Sequence, residues 1–274
     1  MLASALHRAL VADAAMNHDV AAVRSFVADK ADVNAAQPDG TTALTWAARA
    51  NDLEMVDLLL EAGANVRAAN REGATALYQA AENGNPGIIE RLLKAGADVN
   101  GTFLSTGETA LMEAARTGSV EALKVLLDHG ADINAKETLR GTTALMWATT
   151  ERHAGAIRFL IERGADVNAQ SKKDKAKAYG TAGPGAKIPK DLESGGLTPL
   201  IFALREEFFD SVRVLVDAKA DVNKISADGS GPLLVAVLNG RYDMARYLIE
   251  KVRTSASEIR RAGRRCISRS SIAP

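Results

Sequence analysis

Apolar and polar positions along residues 106–135 follow two short helical periods separated by a break. Leu111, Ala114 and Ala115 recur at spacings of three and four, which puts them on one face of a helix that Thr109 can cap and Gly118 can end. After Ser119, a second capping residue, Val120, Leu123, Leu126 and Leu127 form another apolar stripe, and Gly130 closes it. Residues 131–134 (Ala-Asp-Ile-Asn) then place Asp and Asn where side chains bond nearby backbone groups in tight turns. An extended, hairpin-like loop leads to the next apolar run. One such helix pair leaves an apolar flank uncovered, so the pattern predicts units that stack.

The pattern returns at a fixed period. Gly-x-Thr-Ala-Leu stands at 40–44, 73–77, 107–111 and 141–145, with related strings at 196–200 and 229–233. The residues in the Thr place, Thr42, Thr75, Thr109, Thr143, Thr198 and Gly231, are 33, 34, 34, 55 and 33 positions apart. Ala-Asp-Val-Asn or a close variant ends at Asn34, Arg67, Asn100, Asn134, Asn168 and Asn223, at steps of 33, 33, 34, 34 and 55. Two strings sharing one period define a repeat, and the step of 55 is one period plus 22 inserted residues. Ala47, Ala48, Ala80, Ala81, Ala114 and Ala115 let first helices approach closely. The expected fold is all-α, with seven helix-turn-helix pairs and 14 helices. Residues 1–8 form a leader, 9–171 hold five units, 172–194 an inserted loop, 195–252 two further units, and 253–274 a tail. The first unit lacks Gly-x-Thr, as a degenerate terminal cap does.

The motifs Gly-x-Thr-Ala-Leu-x-x-Ala-Ala and Leu-Leu-x-x-Gly-Ala-Asp-Val-Asn, in register from about Ala9 to Lys251, resemble those of ankyrin-repeat proteins. The resemblance implies a solenoid with β-hairpin-like loops between repeats. It also implies a non-catalytic, scaffold-like module that binds a protein partner on a concave face lined by first helices and hairpin tips. One departure is consistent. Thr45, Tyr78, Met112, Met146, Ile201 and Leu234 stand where the family usually has His, which removes a hydrogen bond the family often uses.

Composition narrows the function further. The 47% apolar content suffices for a core, and 34 basic against 34 acidic side chains argue against a dedicated nucleic-acid binder. The lone Cys266 excludes an internal disulfide framework and a multi-Cys zinc site. No run of 18 apolar residues exists to span a membrane, and His7, Arg8 and Asp13 interrupt any signal-like stretch at the start. The chain therefore reads as cytoplasmic, or as periplasmic or secreted if a signal is missing upstream. His7, His18, His129 and His153 are scattered, and the glycines at 180, 183 and 185 lack the strand and Gly-Lys-Ser/Thr of a phosphate loop. Hence no enzyme activity, catalytic residue, metal or cofactor is expected.

What remains is surface. Trp46, Gln79, Glu113, Trp147, Phe202 and Val235 stand two residues after the motif Leu, roughly 200° around the helix, and are expected off the deepest core. Their large members either pack against the next unit or anchor a partner. Arg49, Glu82, Arg116, Thr150, Arg205 and Leu238 follow three residues on, and Arg49, Glu82 and Arg116 form either an ion-pair ladder or partner contacts. Arg71 and Glu72, Phe103 and Leu104, Leu139 and Arg140, and Ile225 occupy the tips. Phe103 and Leu104 are either tucked in or offered outward. The candidate partner contacts are Trp46, Arg49, Arg71, Glu82, Phe103, Glu113, Arg116, Arg140, Trp147, Phe202 and Arg205.

The loop 172–194, with Lys172, Lys173, Lys175 and Lys177, carries net charge +3, and the tail from Arg253 carries +5. Together they raise a second reading, binding of nucleic acid or anionic lipid. It ranks lower because the remaining scaffold is near −8 and only Tyr179 interleaves the basic residues. Unit seven keeps Met244, Ala245, Tyr247, Leu248 and Ile249, the stripe expected to receive a neighbour. Ser255 and Glu258 resemble a capping box for a short covering helix, but the Arg-rich tail is expected to be disordered, leaving weak self-association through this unit.

Overall fold

A computed structural model describes residues 9–103, 106–175 and 193–252. The leader 1–8, Leu104, the middle of the inserted loop with Lys177 and Tyr179, and the tail 253–274 lie outside the described residues. The chain divides into two compact units, Met1–Asp166 and Val167–Pro274.

Unit 1 holds ten helices in five pairs: α1 Leu10–Met16 and α2 Val20–Ala28, α3 Ala43–Arg49 and α4 Leu53–Glu61, α5 Ala76–Glu82 and α6 Pro86–Lys94, α7 Ala110–Thr117 and α8 Val120–Asp128, α9 Ala144–Thr150 and α10 Ala154–Glu162. The motif threonines start the first helices as their spacing requires. Thr42, Thr75, Thr109 and Thr143 each accept a hydrogen bond from the amide three residues on. Asp19, Asp52, Asn85 and Ser119 do the same for second helices. First helices run 7–8 residues and pack more extensively on one another than the longer second helices do, so unit 1 curves with its first helices inside. Alanine makes this approach possible: Ala47, Ala48, Ala80, Ala81, Ala114 and Ala115 are all fully buried.

Three sets of bonds stitch neighbouring units of unit 1. At the tips, Arg71 donates its amide to Asp39 O at 2.9 Å and Thr138 donates to Thr106 O at 2.7 Å. The motif glycine is needed there, because a Cβ on Gly107 would lie 3.0 Å from the Thr138 amide nitrogen and the backbone has φ +74°. At the turns inside pairs, Asn83 donates to Ala48 O, Ser119 to Gly84 O, and His153 Nε2 meets Arg116 O at 3.0 Å. Behind the second helices, the motif asparagines reach forward to the next unit. Asn34 Oδ1 accepts from the Asn65 amide while its Nδ2 donates to Gly63 O, and Asn100 repeats the pair with Asp132 and Gly130. Arg67 holds the same place but can only donate, and its Nε reaches Gly96 O at 2.8 Å.

Unit 2 holds β1 Lys173–Lys175 and β2 Glu193–Gly195, then α11 Pro199–Arg205, α12 Phe209–Asp217, α13 Pro232–Leu238 and α14 at 242–252. The described ends of the inserted loop form the antiparallel pair β1–β2, with Lys173 opposite Gly195, so the insertion lengthens a hairpin without breaking a helix. Asn168 still accepts from the Asp221 amide at 2.7 Å, across the extra residues. Unit seven corrects one expectation. Met244, Ala245 and Leu248 are buried within their own unit, and Tyr247 meets Phe209 edge-on. Ile249 does stay exposed, and it is joined by Leu233, Leu234 and Val237 of α13. Leu233 is 41% exposed where its counterpart Leu44 is 1%. Both helices of the last pair therefore contribute to the apolar surface left open.

Candidate functional site

The inner face of unit 1 is built from α3, α5, α7 and α9 with the tips before them. On α5, Tyr78 projects toward the next unit, where its hydroxyl donates to Glu113 at 3.0 Å and to Glu108 at 3.2 Å. Burial, together with the facing Glu113 and Glu108 carboxylates, pushes the phenol well above its usual range, so Tyr78 stays a donor. Arg116 closes the group with a 2.7 Å ion pair to Glu113 and a 3.7 Å approach to Glu82. Burial alone would lower the Arg116 pKa, but the bond to Glu113 and the Glu113 and Glu82 charges hold it above its usual value. The Phe103 ring stacks on Tyr78 with centroids 5.0 Å apart. Phe103 is therefore tucked onto the neighbouring helix.

The sequence-predicted residues divide. Trp46 and Trp147 are half-buried, each fixed by its indole N–H: Trp46 donates to Gln37 at 2.8 Å and Trp147 to Thr142 at 2.9 Å. Arg49 lies over the Trp46 ring at 5.3 Å from its centroid, and so does not extend the ion-pair ladder, whose formed rung is Glu82–Arg116. Arg71 and Arg140 are exposed at tips. In unit 2, Phe202 is half-buried and Arg205 exposed. Lys172 and Lys173 are exposed at the hairpin base, Lys172 lying 3.7 Å from Asp174, and Lys175 has its backbone in β1. Glu113, Gln79 and Val235 correct the expectation for their series, because all three are buried, Glu113 to 2% exposure. A short first helix is enclosed by neighbours on two sides, so a position 200° from the motif Leu meets another helix instead of water. The pairing of Tyr78 with Glu113 also went unread. Its signal was present in the Tyr that replaces the usual His, but a partner 35 residues away is visible only once the units stack.

Between the tips, a groove of about 260 Å³ is lined by Trp46, Glu72, Tyr78, Gln79, Glu82 and Phe103. Larger volumes lie near Phe209, Arg241 and Tyr247 in unit 2, about 590 Å³, and near Arg24, Glu54 and Glu61 in unit 1, about 410 Å³, both along second helices. Among the described residues no group of His, Cys, Asp or Glu is arranged to hold a metal ion. No described helix is long and apolar enough to cross a membrane. His129 bonds Val125 O at the end of α8 and lies 3.8 Å from Glu90, a structural placement.

The register, the paired helices and the inner face define a repeat solenoid of the interaction-module class. The sequence model described as "Ankyrin repeats (3 copies)" matches residues 11–103, 101–171 and 181–258, and the chain belongs to the ankyrin-repeat family. The crystal structure of the human ASB11 ankyrin repeat domain is similar at TM-score 0.70 and 22% identity, over 89% of this chain and 98% of that one. The ankyrin repeat domain of Bcl-3, a member of the IkappaB protein family, is similar at TM-score 0.68 and 26% identity, over 89% and 97%. Comparison with curated protein sequences finds no match. Ankyrin repeat domains are generally protein–protein interaction modules and typically non-enzymatic.

Proposed function

We propose that this chain is a non-catalytic binding module that holds a protein partner on the inner face of unit 1, across the first helices and the tips from Trp46 to Trp147. The observation that carries the reading is the set of half-buried aromatics on that face, Trp46, Phe103 and Trp147, each locked by a hydrogen bond or a ring contact and each leaving part of its surface uncovered. Pre-ordered aromatics bind at little cost in side-chain entropy, and they dominate protein interfaces. Exposed Arg49, Arg71 and Arg140 supply a charged rim that selects and steers the partner.

The test is capture of binding proteins by the full chain, compared with Trp147→Ala and with Arg140→Glu. Both are expected to weaken capture at least tenfold while leaving the helical circular dichroism unchanged. Arg116→Glu is unsuitable, since it would set a carboxylate against buried Glu113 and disturb the fold itself. Undiminished capture by both variants would move the interface off this face.

A further inference from the structure

Gln79 stands out within the groove. It is 9% exposed, its side chain lines the floor, and that side chain makes no hydrogen bond to any described residue. Its counterpart one unit on, Glu113, is enclosed further, to 2% exposure, and is bonded by Tyr78 and Arg116. Gln79 is not among the sealed, unpartnered polar side chains of the described residues, so its amide reaches the groove and is open to water or to a ligand that takes the place of water. An extended peptide supplies what a glutamine lacks, one donor and one acceptor from a single peptide unit. The groove walls state a second requirement. Glu72 and Glu82 line it, Glu108 and Glu113 stand directly behind Tyr78, and among the described residues Arg49 lines the groove while Arg116 pairs with Glu113 and approaches Glu82. Arg71, at the adjacent tip, acts on Asp39. The ring surfaces of Trp46, Tyr78 and Phe103 face the same space, and the chain already lays a guanidinium over Trp46.

We propose that this groove receives a lysine or arginine side chain from an extended segment of a partner protein, and that the Gln79 amide bonds the backbone of that segment. The proposal rests on the reading above that the inner face of unit 1 holds a protein, and it names the chemistry of the partner. Gln79 acts as a recognition residue whose amide is left to solvent in the free protein.

Random 12-residue peptides displayed on phage, selected on the immobilised full chain, give the probe. Selected peptides are then synthesised and titrated by fluorescence anisotropy against the wild type, Gln79→Leu, the Glu72→Gln/Glu82→Gln double variant and Trp147→Ala. The expected peptides share Lys or Arg at one position, and norleucine there weakens binding at least tenfold. The double variant weakens it at least fivefold. Gln79→Leu fills nearly the same space without the amide, so it is expected to weaken peptide binding tenfold while leaving the melting temperature of the free protein unchanged. A merely structural glutamine would lower both. Peptides without a shared basic residue, or unaffected by the groove variants, overturn the proposal, as does selection of no peptide. If those same peptides are lost with Trp147→Ala, the inner-face reading stands while the groove assignment falls; if no inner-face variant affects them, both fall. A synthetic 253–274 peptide that binds with the same sensitivities assigns the groove to this chain and overturns the partner assignment.

Discussion

Glu137 sits in a hairpin tip, where a carboxylate usually meets water, yet it is 4% exposed. Its two oxygens accept from the amides of Leu139, Arg140 and Thr142 and from the Thr142 hydroxyl, which fastens the loop around them. Burial raises its pKa, but these bonds outweigh it and leave the group below its usual 4.5. A carboxylate depressed in the folded state contributes stability above its unfolded pKa and loses it as pH falls through the folded value. Calorimetry between pH 6 and pH 3 is therefore expected to show a steeper fall of melting temperature for the wild type than for Glu137→Gln; parallel curves would remove Glu137 from the acid response. Asp39 and Asp228, lowered chiefly by the hydroxyls of Thr41 and Ser226, work the same way in other tips. Leu139 and Arg140 were legible in the sequence as tip residues, but Glu137 was not. Its role exists only after the loop closes around it, and nothing in the spacing distinguishes it from a solvated glutamate.

At the level of the helix, capping and apolar stripes were the legible part. Thr109, Gly118, Ser119 and Gly130 do what their positions predict, with Gly118 and Gly130 both at positive φ. The same left-handed corner recurs in every unit at His18, Asn51, Gly84, Arg152, Glu207 and Gly240, whatever the residue. Asn51 and His18 are among the residue types that adopt this conformation most readily, but Arg152 and Glu207 are not, so at those two corners packing imposed from adjoining elements outweighs local preference. A glycine search finds fewer than half of these helix ends. The stripe itself yields a test. Leu111 and Leu126 are fully enclosed, so Leu111→Ala and Leu126→Ala are each expected to cost about 2 to 5 kcal/mol in urea denaturation. Lys124→Ala, on the exposed side of α8, should stay within about 0.5 kcal/mol. Equal losses at all three would mean that the stripe is misassigned.

For the molecule, the period of 33 to 34 carried the architecture, because stacking is the only way such pairs bury their flanks. The division at Asp166 was not legible. It precedes the basic insertion at 172, the feature that composition singled out, and follows from which contacts form across residues far apart in sequence. Most residues of the inner groove were legible singly, Trp46 and Gln79 by register and Glu72 and Phe103 as tip residues, but their convergence was not, because they come from three successive units. The forward-reaching side chains behind the second helices have a mechanical consequence. Asn34 and Asn100 each hold the next unit by two bonds, whereas Arg67, lacking an acceptor, leaves the Asp98 amide unheld by it. Asn134 makes one such bond, accepting from the Asp166 amide, which is the bond Arg67 cannot make to Asp98, so unit 1 pulled from its two ends is a spring whose softest coil lies at Arg67. In optical-tweezer traces its first rip is expected to open at the seam between residues 67 and 98, releasing chain in steps of roughly 110 Å per unit. Arg67→Asn should stiffen that coil and raise the force of the first rip, and an unchanged force would place the weak point elsewhere along the spring.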